Sequence, residues 1–294
     1  MLRTLRNLVL AGGALAAVSA CAPNTQNTAE SIRAEQVRAQ QLVAQLDQKG
    51  ALIKDRRLNN YVRGIVDRVS KQRPPGSVPL RAYIIKDADV NAFTPGGGYV
   101  FFNAGMLAAM ENEAQLAMVT AHEIAHIDRG HIQAGQATRT GVQIGAEIAS
   151  ALGQIGAQAL GIPGQLVNLG VSLGSELVVN SFSRSQETDA DTTGVGYMAA
   201  AGYNAIEGAK SFKVLKRLYG DNSGPEALFF SSHPASSDRL ANLTSLGQQL
   251  GATGGRVAAN TYDNATRSLR REVLAVYESA GRSNEAAQIR RNLR

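Results

Sequence analysis

The chain of 294 residues has one cysteine and no tryptophan, and aromatic residues make up only 5% of it. A single cysteine excludes an intramolecular disulfide and any metal or redox site of the CxxC type. The shortage of aromatics removes the stacking platforms on which nucleic acid strands and sugars are held. Strong charge of one sign is also missing. Lys and Arg number 30 against 24 Asp and Glu, and Arg3 and Arg6 fall in a segment expected to be removed, leaving 28 − 24 = +4. Those charges form no basic stripe, so nucleic acid is not an expected partner. What the chain does have is apolar residue: 44% hydrophobic against 18% charged. That is enough for a core and too much for wholesale disorder.

Nor does the N-terminus hold an apolar run of spanning length. Residues 8–17 are apolar and small, about half of the ~20 residues a membrane helix needs. Arg3 and Arg6 precede them and Val18-Ser19-Ala20-Cys21 follows. A basic start, a short apolar run and small residues before a cut describe a signal peptide over residues 1–20. The sole cysteine stands where a lipoprotein signal places its acceptor. Cys21 is therefore the expected lipidated first residue of a periplasmic chain. Ala22 is not an acid, which points to the outer membrane as the site of anchoring. Residues 21–57 read as a polar tether and an N-terminal helix.

The body reads as α+β, mostly helical, with a small sheet. Helices are expected over 31–48 and 58–71, the second ended by Pro74-Pro75-Gly76. Strands are expected over 80–85 and 99–102, the latter entered by a turn at Thr94-Pro95-Gly96-Gly97-Gly98. Beyond Asn103 the pattern is helical, broken by loops near 220–225 and 233–237. Residues 58–250 are the expected main domain. Residues 251–294 read as a linker to 263 and a helical pair, 267–280 and 284–293, like one tetratricopeptide hairpin. Residues 140–183 lack Lys and Arg and carry only Glu147 and Glu176 as acids. Pro163-Gly164 divides them into halves with narrow polar stripes, so they read as an apolar helical hairpin. It would cover the site as a wall or lid, or offer a protein partner a surface, as the C-terminal pair also could.

The chemistry is concentrated in His122-Glu123-Ile124-Ala125-His126. On a helix, residues four apart share a face, so one rigid element presents both imidazoles to a zinc ion. Glu123 follows the first ligand and can take a proton from water activated by the metal and pass it to a leaving amine. The pentapeptide uses two of the four histidines in the chain. A catalytic zinc needs a third protein ligand. His131 is near, but the positions that would carry glycine and histidine in the metzincin pattern are Arg129 and Ile132, which leaves His131 a helix-end or outer role. A downstream carboxylate is the alternative. Ser183 to Asp191 offers Glu187 and Asp191 at i and i+4, one to bind zinc and the other to take a ligand histidine's second ring N–H. His233 precedes Pro234 and so sits in extended or turn backbone. Arg239 opens the next helix.

These motifs, in this order, resemble the zinc metallopeptidases related to the CAAX prenyl proteases, which include the Oma-type proteases and periplasmic quality-control peptidases. Residues 91–100, Asn-Ala-Phe-Thr-Pro-Gly-Gly-Gly-Tyr-Val, match that family's stretch before the active helix. The resemblance covers about 58–246. It implies a zincin-like domain with one zinc on His122, His126 and Glu187, and Glu123 as general base. It also implies His233 and Arg239 as stabilisers of the tetrahedral oxyanion. The family's usual transmembrane helices are missing, which places the chain with a soluble, lipid-tethered branch.

Gly97, Gly98, Tyr99 and Val100 belong to a strand just upstream of the zinc helix whose edge would bind extended peptide main chain. The expected function is a zinc endopeptidase of the bacterial envelope acting on misfolded or misassembled proteins. A non-proteolytic chaperone or assembly lipoprotein, or a hydrolase of cell-wall peptides, are the alternatives. His233 carries one more expectation: as a loop imidazole near an open zinc position, it could bind the metal and hold the enzyme latent.

Overall fold

The computed structural model describes residues 28–136, 182–220, 229, 233 and 239–294. The expected signal peptide, Cys21 and nearly all of the expected 140–183 hairpin lie outside them.

A three-stranded sheet anchors the fold, with β1 (Arg81–Ile85) parallel and β2 (Ala92–Gly96) antiparallel to a central β3 (Tyr99–Asn103). Side chains alternate across it, as the two-residue strand period requires. Ala82, Ile84, Val100 and Phe102 face the main core, whereas Ile85, Tyr99 and Phe101 face a second cluster. Helix α1 (Ala29–Gln48) covers that second face with Ala39, Leu42 and Leu46. The expected N-terminal helix thus packs directly on the sheet.

On the other face, α2 (Arg56–Ser70) buries Leu58, Val62, Ile65, Val66 and Val69, one helical stripe. Asp55 fixes its start by accepting the Leu58 N–H at 2.7 Å. A short α3 (Ala104–Ala109) leads into α4 (Glu113–Asp128) and α5 (His131–Gln136). After residue 182 come α6 (Arg184–Ala200), α7 (Ala205–Tyr219) and α8 (Arg239–Gln249). The C-terminal pair is α9 (Ala259–Ser279) and α10 (Ser283–Asn292).

Three expectations change. Residues 92–96 form a strand in place of the expected turn. Pro95 misleads, but an edge strand tolerates proline because its N–H need not enter a ladder. The turn proper is Gly96-Gly97-Gly98, all three with φ between +63° and +89°, which only glycine adopts freely. A helix also begins at Ala259 rather than 267. Its N-cap is Ala258, which offers no side-chain hydrogen bond, so the sequence carries no start signal. Finally, the C-terminal pair places Tyr262, Leu269, Val273, Tyr277 and Ile289 in the main core. Its apolar face packs on this domain.

Candidate metal centre

The site rests on one buried helix and a second packed hard against it. α4 is buried from Glu113 to Ile127, its polar residues Glu113, Gln115, Thr120, His122, Glu123 and His126 included. Asn112 fixes its start by accepting the Gln115 N–H at 3.0 Å. Glu113 is held by Arg256, Tyr61 and Tyr203. At the far end, the His122 and His126 rings stand 4.6 Å apart between centroids.

α6 opens with a capping box in which Ser183 and Gln186 satisfy each other's backbone N–H groups. Further along, a Cβ on Gly194 would lie 3.1 Å from backbone atoms of Ala121 and His122. This glycine lets α6 approach α4 closely at the histidines. Sequence gives it no more signal than a glycine inside a helical pattern, and its role escapes that reading. The approach brings Glu187 and Asp191 to the two imidazoles.

Four donors converge. His126 Nε2 lies 3.0 Å from His122 Nε2, and His122 Nε2 lies 3.1 Å from His233 Nδ1. Glu187 Oε1 is 3.0 Å from His233 Nδ1 and 3.3 Å from His126 Nε2. One ligand atom from each of these four buried residues falls within 4.8 Å of the others. Ring nitrogens facing ring nitrogens share at most one proton between each pair, and Glu187 Oε2 accepts no hydrogen bond. So many acceptors packed together out of water are costly unless a cation sits among them. Imidazole nitrogens with one carboxylate suit zinc. The residues fit the metal that the sequence implied.

Around the donors, rings and charges hold each one in place. Phe182 stacks on His126 at 3.7 Å and Phe229 on His233 at 4.7 Å between centroids. Asp191 Oδ1 contacts His122 Nδ1 at 3.0 Å, the second ring nitrogen expected for it. Arg239 grips Asp191 with Nε at 2.9 Å and Nη2 at 2.7 Å. Its Nη1 lies 2.7 Å from Glu187 Oε2, an ion pair without hydrogen-bond alignment. The guanidinium sits 4.3 Å over the Phe212 ring. Every nitrogen of this group lies against a carboxylate. All three nitrogens of Arg239 thus face Asp191 and Glu187.

His233 belongs to the donor group itself, with its Nε2 3.4 Å from Glu123 Oε1. Glu123 is fully buried and neither of its oxygens has a hydrogen bond.

Protonation follows from these surroundings. Burial pushes the Glu123 carboxyl up from its ordinary range. Burial also draws His126 well down. For Glu187 burial acts upward, but His233, His122 and the bond with His126 outweigh it and hold the carboxylate far below the usual range. His233 is drawn down by burial and raised on balance by Glu187 and Glu123.

The residues expected to bind substrate serve the fold instead. Tyr99 and Val100 lie on β3, and both edges of that strand are paired. Gly97 and Gly98 form the turn. The Gly97 N–H donates to Glu35 Oε2 at 2.7 Å, and a Cβ on Gly98 would meet the Pro79 carbonyl oxygen at 2.3 Å. Among the described residues, the unpaired strand edge beside α4 belongs to β2.

With this geometry in place, comparison with known proteins is direct. A family model described as Peptidase family M48 matches residues 53–246. The chain belongs to that family. Its members are zinc-dependent metalloproteases, in keeping with the donor group. The chain is 27% identical to the beta-barrel assembly-enhancing protease of Escherichia coli strain K12, over 71% of its own length and 42% of the relative's. It is 31% identical to the metalloprotease LoiP of the same organism, over 56% and 61%. The mitochondrial metalloendopeptidase OMA1 of Schizosaccharomyces pombe is 28% identical over 62% and 51%. The matched part of the chain thus spans from two fifths to three fifths of these relatives' lengths.

Proposed function

We propose that this M48 chain is a zinc endopeptidase of the bacterial cell envelope that cleaves misfolded or misassembled proteins. The observation that carries the reading is the buried convergence of His122, His126, Glu187 and His233 beside an unbonded Glu123. In it, His122 and His126 hold zinc through Nε2 and Glu187 holds it through its carboxylate. A bound zinc supplies a Lewis acid for the scissile carbonyl and lowers the pKa of water toward ~7. Glu123 takes the proton released as the new C–O bond forms and delivers it to the amine nitrogen as the C–N bond breaks. A carboxyl raised by burial is suited to keeping that proton between the two events. Asp191 and Arg239 position His122 and Glu187.

The free edge of β2 would pair with extended main chain, which favours unfolded segments over particular side chains. The names of the bacterial relatives support envelope clients, with β-barrel proteins among them. The signal peptide over 1–20 and the lipid acceptor Cys21 supply export and a tether. None of the helices among the described residues is long and apolar enough to cross a membrane. Cys21→Ser should then move the protein from the membrane fraction to the soluble one.

The position of His233 favours a resting form. Four protein donors make a closed set of the kind that structural zinc sites use, whereas a catalytic site keeps one position open. His233 must leave the group for substrate to enter. His233→Ala should therefore raise basal cleavage, and a plain loss of activity would return His233 to the oxyanion role.

Cleavage of casein by the mature chain and by Glu123→Gln, with zinc content of both, tests the whole reading. About one zinc in each, with cleavage by the unsubstituted chain alone, is the expected result. Zinc in neither protein would overturn it and bring the chaperone alternative forward.

A further inference from the structure

The two metal-facing histidines of α4 are held by different chemistry. The outer nitrogen of His122 meets a carboxylate, Asp191. The outer nitrogen of His126 meets another histidine: His131 Nδ1 lies 2.9 Å from His126 Nδ1. His131 Nε2 in turn lies 3.1 Å from Asp189 Oδ2, and the same oxygen accepts from Arg129 Nε at 2.6 Å. The relay runs outward from a fully buried ring, through a ring that is 6% exposed, to a carboxylate whose side chain is 34% exposed.

The proton positions in this relay follow from its inner end. If His126 gives its Nε2 lone pair to the metal, its one proton is on Nδ1 and must be donated outward. The acceptor at 2.9 Å is His131 Nδ1, which must then carry a lone pair. The His131 proton is therefore on Nε2 and is donated to Asp189. Arg129 Nε donates to the same Asp189 oxygen, which therefore serves as an acceptor on both sides. A single tautomer of each ring satisfies every contact. Phe182 stacks on the face of His126 and restricts its tilt, while the bond to His131 fixes the direction in which the ring points.

We propose that His131, fixed in its Nε2–H tautomer by Asp189, is a positioning residue that sets the tautomer and aim of the zinc ligand His126. The proposal rests on the zinc-site reading above. It gives the histidine that metzincin spacing excludes as a ligand a defined place one bond further out. It also separates the two ligands: His122 is backed by a buried ion pair, His126 by a neutral ring with a route to solvent.

Outer partners of ligating histidines are worth about 10–100-fold in metal affinity. His131→Phe keeps a ring of similar size and removes the acceptor. His131→Asn restores an acceptor oxygen close to where Nδ1 lies. Zinc affinity should be measured by chelator competition on the mature chain and both variants, with the visible spectrum of each protein loaded with cobalt(II) and a thermal melt. His131→Phe should bind zinc about 10–100-fold more weakly and show an altered cobalt spectrum. His131→Asn should recover most of the affinity and the parent spectrum. Equal affinity and the same spectrum in His131→Phe would overturn the proposal. Should that variant fail to fold, Asp189→Ala carries the test from the partly exposed end of the relay, and unchanged affinity there would overturn it too. Failure of the unsubstituted chain to bind zinc would instead bring down the zinc-site reading itself, so the two failures are distinguishable.

Discussion

Two of the buried polar networks among the described residues are built on opposite terms. One closes the end of α3. Arg270 is buried within α9, and its Nη2 donates to the Met110 carbonyl at 2.7 Å and its Nη1 to Asp263 at 2.7 Å. Asn292 Nδ2 reaches the carbonyls of Ala108 and Ala109, each at 2.9 Å, and Gln288 Nε2 also reaches Ala109. A helix end leaves carbonyls without partners, and these side chains supply them. None of the three residues keeps a buried side-chain atom without a hydrogen bond. The other network is the metal centre, where Glu123 Oε1 and Oε2 and Glu187 Oε2 are all left without one. A saturated network fixes a fold. One with its lone pairs converging and unmet holds a place for something else.

That contrast predicts opposite profiles for two substitutions. Glu123→Gln should lower cleavage by about 10²–10⁴-fold, the range that a general base contributes. It should leave the melting temperature nearly unchanged, since neither Glu123 oxygen makes a hydrogen bond that the substitution would break. Arg270→Met should do the reverse. It strips the α3 carbonyls and Asp263 of a donor, at a cost of about 3–5 kcal/mol, while the folded fraction keeps its zinc. Denaturant melts with zinc analysis would check both. A Glu123→Gln protein destabilised as much as Arg270→Met would erase the distinction.

The sequence shows these two networks to very different degrees. The metal centre is legible because its donors obey local rules: His122 and His126 by helical spacing, Glu187 and Asp191 by the same spacing, His233 by its proline. What sequence does not give is the distance between α4 and α6, which depends on Gly194, or the place of Arg239, which depends on α6 and α8 meeting. The α3 cap is invisible there. Arg270 and Ala108 are far apart in sequence and only the closed core brings them together. The helix over 31–48 is legible, but its packing on the sheet is not, because most of its surface is polar and its buried stripe of Ala39, Leu42 and Leu46 is narrow. β2 is hidden by Pro95 and the glycines after it, which signal a turn wherever no sheet is known.

Glu35 falls between the two kinds of network and sharpens the comparison. It lies on α1, 2% exposed, with Oε2 accepting the Gly97 N–H and Oε1 without a partner. Burial pushes its carboxyl up to about 7, against the Gly97 bond and the nearby Arg38. A carboxyl whose folded value exceeds its unfolded one of about 4.5 binds a proton more tightly when folded. Its stabilisation is complete below about pH 4.5 and is lost as pH rises through about 7. By pH 8 the loss reaches about 3 kcal/mol, because each pH unit between the two values is worth about 1.36 kcal/mol. Glu35→Gln should flatten this part of the stability curve, so the difference between variant and parent should grow between about pH 5 and pH 8. A difference constant with pH would show that Glu35 is ionised throughout and belongs with the satisfied network.

The smallest expected effect lies at the join between fold and site. Ser183 caps α6, and its hydroxyl accepts the Gln186 N–H at 3.3 Å while Gln186 Oε1 accepts the Ser183 N–H at 2.9 Å. The first turn so fixed carries Glu187. Ser183→Ala removes half of this reciprocal pair and should cost about 1 kcal/mol, read as a lower denaturant midpoint with an unchanged slope. Gln186 still bonds the backbone, and Arg239 still holds Glu187 from α8. Zinc affinity should therefore move less than stability does. If affinity falls further than stability, the first turn of α6 is what aims Glu187.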